Sequence, residues 1–437
     1  MNQKEFARRR RQLMRMIGKG GVAILPAAPT RYRNRDVEYE FRQDSDFYYL
    51  TGFNEPEAVA VLVPGRPEGE FLLFCRERDP QQEIWHGKLA GTDDAIAENG
   101  ADDAFPISDV DEILPGVIEQ CERVYYSIGT HSDFDQRLIG WVNSLRDRGS
   151  SRGHTPDEFI ALDHMLHDLR LYKSRAEIST MRKAAKLTVK AHKRAMSVCQ
   201  PGLYEYELEA EYQHQFRQHD ARMAYQPIVG SGLNACTLHY IRNNCQMKDG
   251  DLVLVDIGCE YDSYASDVTR TFPVNGRFSP EQRAIYEIVL EAQQAALSMI
   301  EPGNHWNEPH EAAVKVVTRG LRDLGLLKGK LPALIKQGAC REFFMHRTGH
   351  WLGMDVHDVG DYKISDHWRL LEPGMVMTVE PGIYIAGDCR RVPRKWRGIG
   401  VRIEDDVVVT REGHDVLTRD LPSSVDDIEA LVGSGLQ

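Results

Sequence analysis

A chain of 437 residues is longer than one hydrophobic core ordinarily serves, so two or more folded units are expected. Its formal net charge of −12 argues against nucleic acid or an anionic membrane as partner, because both demand a basic surface. The longest uninterrupted aliphatic run, residues 58–63, is far too short to cross a bilayer.

Arg8-Arg9-Arg10-Arg11 resembles a twin-arginine signal only superficially. No apolar segment follows it, and Phe6, Leu13, Met14 and Ile17 recur at helical spacing, which predicts a solvated first helix. The eight cysteines are scattered and form no Cys-x-x-Cys pair, which predicts reduced thiols serving as filler and a cytoplasmic protein. Strand-like runs at 22–25, 47–50, 58–63, 71–75 and 124–128 mix with helical patterns, giving an α/β N-terminal domain over residues 1–172 without a glycine-rich phosphate loop.

At Lys173 the character changes, and a second domain is expected over residues 173–437. Ser174 with Glu177 makes a capping box, and Ile178, Met181, Ala185 and Thr188 trace one face of a long helix that stops before Pro201-Gly202. A second helix is marked by Leu208, Tyr212 and Phe216. The order returns downstream: Ser279 and Gln282 cap a helix carrying Ile285, Ile288, Ala292 and Ala296, Pro302-Gly303 breaks it, and another helix follows from Pro309. Each unit then reaches an apolar strand that ends in an acid, Gly250 before Asp256 and Gly258, Gly374 before Glu380 and Gly382. Two related halves meeting about a pseudo-twofold axis would place four acids near it.

Residues 251–272 read Asp-Leu-Val-Leu-Val-Asp-Ile-Gly-Cys-Glu-Tyr-Asp-Ser-Tyr-Ala-Ser-Asp-Val-Thr-Arg-Thr-Phe, a predicted hairpin. Folded about its midpoint, Asp256 and Asp267 face each other, roughly 4.5–5.5 Å apart at Cβ, where like charges conflict unless a cation lies between them. A bulge that shifted the register would instead leave both acids solvated. The second unit supplies Glu380 in Thr378-Val-Glu-Pro-Gly-Ile-Tyr384 and Glu404 in Gly398-Ile-Gly-Val-Arg-Ile-Glu-Asp405, with His346, His350 and His357 in His346-Arg-Thr-Gly-His-Trp-Leu-Gly-Met-Asp-Val-His357. An acid at the end of a buried strand needs neutralising. Four carboxylates with one imidazole suit two divalent ions, Mn²⁺ above all.

Asp256, Asp267, His350, Glu380 and Glu404, within these surrounding words, resemble the five-ligand set of the pita-bread metallopeptidase family, which includes methionine aminopeptidase, prolidase, creatinase and aminopeptidase P. Ser45-Asp-Phe-Tyr-Tyr-Leu-Thr-Gly-Phe-Asn-Glu-Pro-Glu57 and Glu83-Ile-Trp-His-Gly87 are similar to the N-terminal domain of the bacterial aminopeptidase P branch. The fold so implied is an α/β N-terminal domain followed by an α+β pita-bread domain, an antiparallel curved sheet with helices on its outer face. The resemblance further implies that Asp267 and Glu404 bridge two ions, Asp256 binds one, and His350 and Glu380 bind the other. A hydroxide between the ions would be the nucleophile and Glu380 the general base. His239, His346 and His357 would line the substrate site, with roles that stay undivided, and Arg402 and Tyr384 would support the ligands. Trp85 and Arg152 are implied to reach an active site, their own or that of a neighbouring subunit, in a homodimer or homotetramer. The implied activity is removal of an N-terminal residue that precedes proline. Prolidase action on Xaa-Pro dipeptides is the runner-up, and a non-catalytic peptide- or protein-binding module is the alternative from another class.

Overall fold

Apolar runs without alternation require cover on both faces of a sheet, and in the first half of the chain they receive it. The computed structural model describes residues 1–147 and 155–436. The chain divides into two units, Met1–Leu169 and Arg170–Gln437.

In the first unit a six-stranded sheet runs Asp103–Pro106, Phe71–Cys75, Val59–Leu62, Gly21–Pro26, Arg123–Tyr125, Glu158–Ile160. Gly21–Pro26 pairs antiparallel with Val59–Leu62 and parallel with Arg123–Tyr125. Val110, Leu114 and Ile118 of one helix and Phe134, Leu138 and Trp141 of another pack on the core these strands make.

Two expectations fail here. Residues 47–50 are not strand but the middle of the helix Ser45–Thr51. Asp44 caps its start by accepting from the Phe47 N–H, and Gly52 ends it in the left-handed region. These punctuation marks outweigh the strand preference of the Phe-Tyr-Tyr run. The first helix, Gln3–Ile17, is not solvated along its arginine run: Arg9 and Arg10 are buried. Arg9 stacks 4.1 Å from the Tyr49 ring and donates to the Tyr49 carbonyl, and Arg10 donates to the Leu50 and Gly100 carbonyls. Guanidinium planes pack on aromatic faces while their forks satisfy carbonyls, which periodicity counts as polar surface.

The second unit is built twice. Capping boxes at Ser174/Glu177 and Ser279/Gln282 start the helices Arg175–Val198 and Pro280–Leu297. The first packs against Glu205–Arg217 and the second against Glu308–Asp323. After each long helix a glycine at positive φ, Gly202 or Gly303, turns the chain, and its N–H donates to the carbonyl of Met247 or Leu371 respectively. Tyr204 bridges Gln246 as His305 bridges Leu370. Strands then follow at equivalent places, Leu252–Ile257 paired with Val268–Pro273, and Val376–Val379 paired with Asp405–Thr410. All are antiparallel, and the core on which the helices pack runs through both halves.

The hairpin register differs from the expectation by two residues. Its turn is Asp262-Ser263, both at positive φ, closed by the pair Tyr261 and Tyr264. Asp256 therefore stands opposite Thr269, and Asp267 lies diagonally across, just before the strand begins. Because side chains alternate with period two, a shift of two leaves both acids on one face.

Candidate metal centre

Each acid of the site sits where a strand breaks. Asp256 lies one residue from the end of Leu252–Ile257, Glu380 between Val376–Val379 and Gly382–Ile385, and Glu404 between Ile399–Arg402 and Asp405–Thr410. Asp256 is still paired, with Thr269, whereas Glu380 and Glu404 lie between paired stretches, and all three line the same cavity. Asp256, Asp267, His350, Glu380 and Glu404 line one cavity of about 540 Å³ with His239, His346, His357 and Arg402.

The acids are held by a network of donors. Tyr225 places its hydroxyl 2.7 Å from Asp256 Oδ1 and 2.5 Å from Asp267 Oδ1. Gly258 makes room for that ring: a Cβ there would stand 3.0 Å from Tyr225 and would collide with the Ser266 carbonyl. Arg402 Nη2 donates to Asp256 Oδ2 at 2.5 Å, Nε to Thr269 Oγ1 at 3.0 Å, and Nη1 to the Tyr384 hydroxyl at 2.9 Å. Thr269 Oγ1 donates in turn to Glu404 Oε2 at 2.7 Å. The backbone N–H of Asp267 donates to the Asp406 carboxylate at 3.1 Å.

The histidines fall into two kinds. His350 Nδ1 donates to the Trp351 carbonyl at 2.9 Å, which directs Nε2 toward Asp267 Oδ2 at 3.3 Å and Glu380 Oε1 at 3.7 Å. Ligand atoms of Asp267, His350 and Glu404 lie within 4.8 Å of one another. His346 Nδ1 is 2.7 Å from the Arg347 carbonyl, so it carries the proton, and Nε2 accepts from the Tyr384 hydroxyl at 2.9 Å. The chain from Asp256 through Arg402 and Tyr384 to His346 is thereby fixed in direction. His357 sets its ring centroid 4.3 Å from that of His350 and faces the cavity, and His239 lies on the irregular segment after Gly232–Cys236.

Four carboxylates in this volume strain against one another. Burial raises the Glu404 carboxyl well above its ordinary value, with the charges of Asp267, Glu380 and Asp256 adding. Burial also brings Glu380 up to about 7, against the opposing pull of His350 and Arg402. Burial disfavours charge on His350, yet its hydrogen bond to Asp267 and the charge of Glu380 outweigh this and raise it to about 9. His346 is driven down to about 3, first by burial and then by Arg402, and is neutral. A buried set of four carboxylates gathered around Arg402 and the His350 ring has the donor chemistry of a site for hard divalent cations.

Trp85 lies on the helix Pro80–His86, none of whose residues is buried, and is itself 80% exposed. Arg152 lies outside the described residues. Tyr225 and Thr269 went unrecognised in the sequence. A lone tyrosine in an irregular segment and a threonine in a strand carry no signal until the register is known.

A duplicated antiparallel fold that gathers four acids and an imidazole at its centre defines a metal-dependent hydrolase. The family model described as "Metallopeptidase family M24" matches residues 179–411, and that described as "Aminopeptidase P, N-terminal domain" matches residues 6–125. The chain belongs to metallopeptidase family M24. It is 46% identical to the Xaa-Pro aminopeptidase of Escherichia coli K12, over 99% of this chain and 98% of that one. Among solved structures, Pseudomonas aeruginosa aminopeptidase PepP superposes with a TM-score of 0.99 at 60% identity, covering 100% of this chain and 99% of that one. E. coli aminopeptidase P in complex with substrate superposes at 0.97 with 45% identity, covering 100% and 99%. The likeness to these relatives runs the whole length of the chain, N-terminal domain included.

Proposed function

We propose that this protein is an Xaa-Pro aminopeptidase that hydrolyses the bond between an N-terminal residue and a following proline. The observation that carries the reading is the complete set Asp256, Asp267, His350, Glu380 and Glu404 around one cavity, in a chain similar end to end to Xaa-Pro aminopeptidases. Two divalent ions, Mn²⁺ by preference for an oxygen-rich set with one imidazole, would be held by Asp256, Asp267, His350, Glu380 and Glu404, with Asp267 and Glu404 the candidates to serve both. When bound, the ions supply Lewis acidity and bring the pKa of a shared water toward neutrality.

The residues do the rest. Glu380, on the wall of the cavity beside His350, is suited to hold the proton of the attacking water and deliver it to the prolyl nitrogen as the bond breaks. That nitrogen is a tertiary amide with no N–H, so the proton must be brought to it. Neutral His346, oriented by Tyr384, and His239 and His357 on the cavity wall are placed to contact the peptide or the developing oxyanion. Arg402 aims Asp256 and opposes the rise that burial imposes on its carboxyl. Tyr384→Phe takes away the hydroxyl that joins Arg402 to His346. It is expected to lower kcat by about tenfold to a hundredfold with little change in metal content, as read by steady-state kinetics with metal analysis.

Trp85 and Arg152 are proposed to contribute to substrate binding in an assembly of two or four copies, which exposure of Trp85 in the single chain favours. Eight free cysteines fit a reducing, cytoplasmic setting, and no described helix is long and apolar enough to cross a membrane. The reading is tested by comparing Xaa-Pro dipeptides with Xaa-Pro-Yaa tripeptides. Turnover of tripeptides is expected, and activity confined to dipeptides would assign the protein to prolidase instead.

A further inference from the structure

Glu205 opens the helix Glu205–Arg217, and a glutamate at a helix start is ordinarily a solvated residue favoured by the helix dipole. Here it is completely buried. Its carboxylate accepts five hydrogen bonds. Oε1 takes the Ser231 N–H at 2.7 Å, the Ser231 hydroxyl at 2.8 Å and Asn234 Nδ2 at 3.0 Å. Oε2 takes the Tyr240 hydroxyl at 2.9 Å and the Cys245 N–H at 3.0 Å. All five donors are neutral and all belong to one stretch, residues 231–245. Beyond the turn Gly232–Cys236 that stretch has neither helix nor strand until it reaches Gln246, and it carries Leu238 and His239 into the wall of the metal cavity.

A segment without its own backbone ladder is held only by what it touches. Glu205 grips it on both sides of His239, at Ser231 and Asn234 before and at Tyr240 and Cys245 after. One helical turn on, Glu209 Oε2 accepts from Asn243 Nδ2 at 2.8 Å, while Asn243 Oδ1 takes the Val229 N–H at 3.0 Å. Burying a carboxylate without a cation is costly, and it is offset here because every contact is a donor to a charged acceptor. We infer that Glu205 is a positioning residue for the reaction: it fixes the loop that sets His239 in the substrate cavity. This rests on the reading that His239 contacts the peptide.

Glu205→Gln is nearly isosteric, yet whichever way its amide turns, an NH₂ group meets at least two of the donors. In the full-length metal-loaded enzyme the substitution is expected to lower kcat/KM on an Xaa-Pro-Yaa tripeptide by about tenfold to a hundredfold, with metal content unchanged. In a His239→Ala background the same substitution is expected to cost less than about threefold, because the group it positions is gone. An equal loss in both backgrounds, or no loss in either, would overturn the inference. If His239→Ala alone leaves turnover intact, the reading of His239 fails and the inference goes with it. Impaired His239→Ala with additive Glu205→Gln sinks the inference alone. Should Glu205→Gln not accumulate as folded protein, Tyr240→Phe removes one of the five donors and enters the same cycle, with about a fivefold loss expected beside His239 and none in its absence.

Discussion

Asp267→Asn is expected to abolish metal retention and reduce peptide turnover to background while the protein remains folded. Asp267 is held at three points: its N–H is fixed by Asp406, Oδ1 by Tyr225, and Oδ2 stands 3.3 Å from His350 Nε2. The residue lines the cavity, and an amide offers one acceptor and two donors in place of its two carboxylate oxygens. Removing one negative charge also relieves the crowding of four acids, so the metal-free variant should not lose stability. Metal analysis, circular dichroism and a tripeptide assay check the three parts together. Full metal content and activity in the variant would show that Asp267 does not bridge.

The second large effect is on stability. Asp358, adjoining His357, is buried and accepts from Arg170 Nη2 at 2.5 Å and from Lys173 Nζ at 2.8 Å. Burial alone would raise its carboxyl, but the charges of Lys173 and Arg170 outweigh it and hold it below the ordinary value. Asp358→Asn takes the shared carboxylate from buried Lys173 and Arg170, of which Arg170 keeps Asp355 at 2.7 Å, at a cost of about 3–5 kcal/mol centred on Lys173. The pH dependence has a definite sign. A depressed carboxyl contributes stability that is present above its unfolded pKa of about 3.9 and is lost as pH falls through the folded value. Denaturant melts should therefore show a wide gap between wild type and variant at pH 7 that narrows below about pH 4. A gap that does not depend on pH would mean that packing, not charge, holds this corner.

The site was legible to different depths. Asp256, Glu380 and Glu404 betray themselves because an acid closing an apolar strand is improbable without a cation, and the repeat of glycines around them supplies the pairing of halves. The turn of the hairpin was read one position early, since Glu260-Tyr-Asp-Ser263 offers several turn residues and only the backbone shows Asp262 and Ser263 at positive φ. Alternation kept the consequence small, as both aspartates stayed on one face. What the chain hid is long-range. Tyr225 meets Asp267 across 42 positions, Thr269 meets Glu404 across 135, and Glu205 takes its donors from a loop that begins 26 residues later. Residue type and spacing do not encode such closures. Arg9 and Arg10 were hidden for another reason, because charge reads as surface until an aromatic face and accepting carbonyls are brought to it.

The account stands most directly on one assay, in which the purified protein is given Xaa-Pro-Yaa and Xaa-Ala-Yaa peptides before chelation, after it, and after Mn²⁺ is restored. Cleavage confined to the Xaa-Pro bond, lost on chelation and recovered with Mn²⁺, is the predicted result. Cleavage that survives complete removal of metal, or that prefers Xaa-Ala, would contradict it.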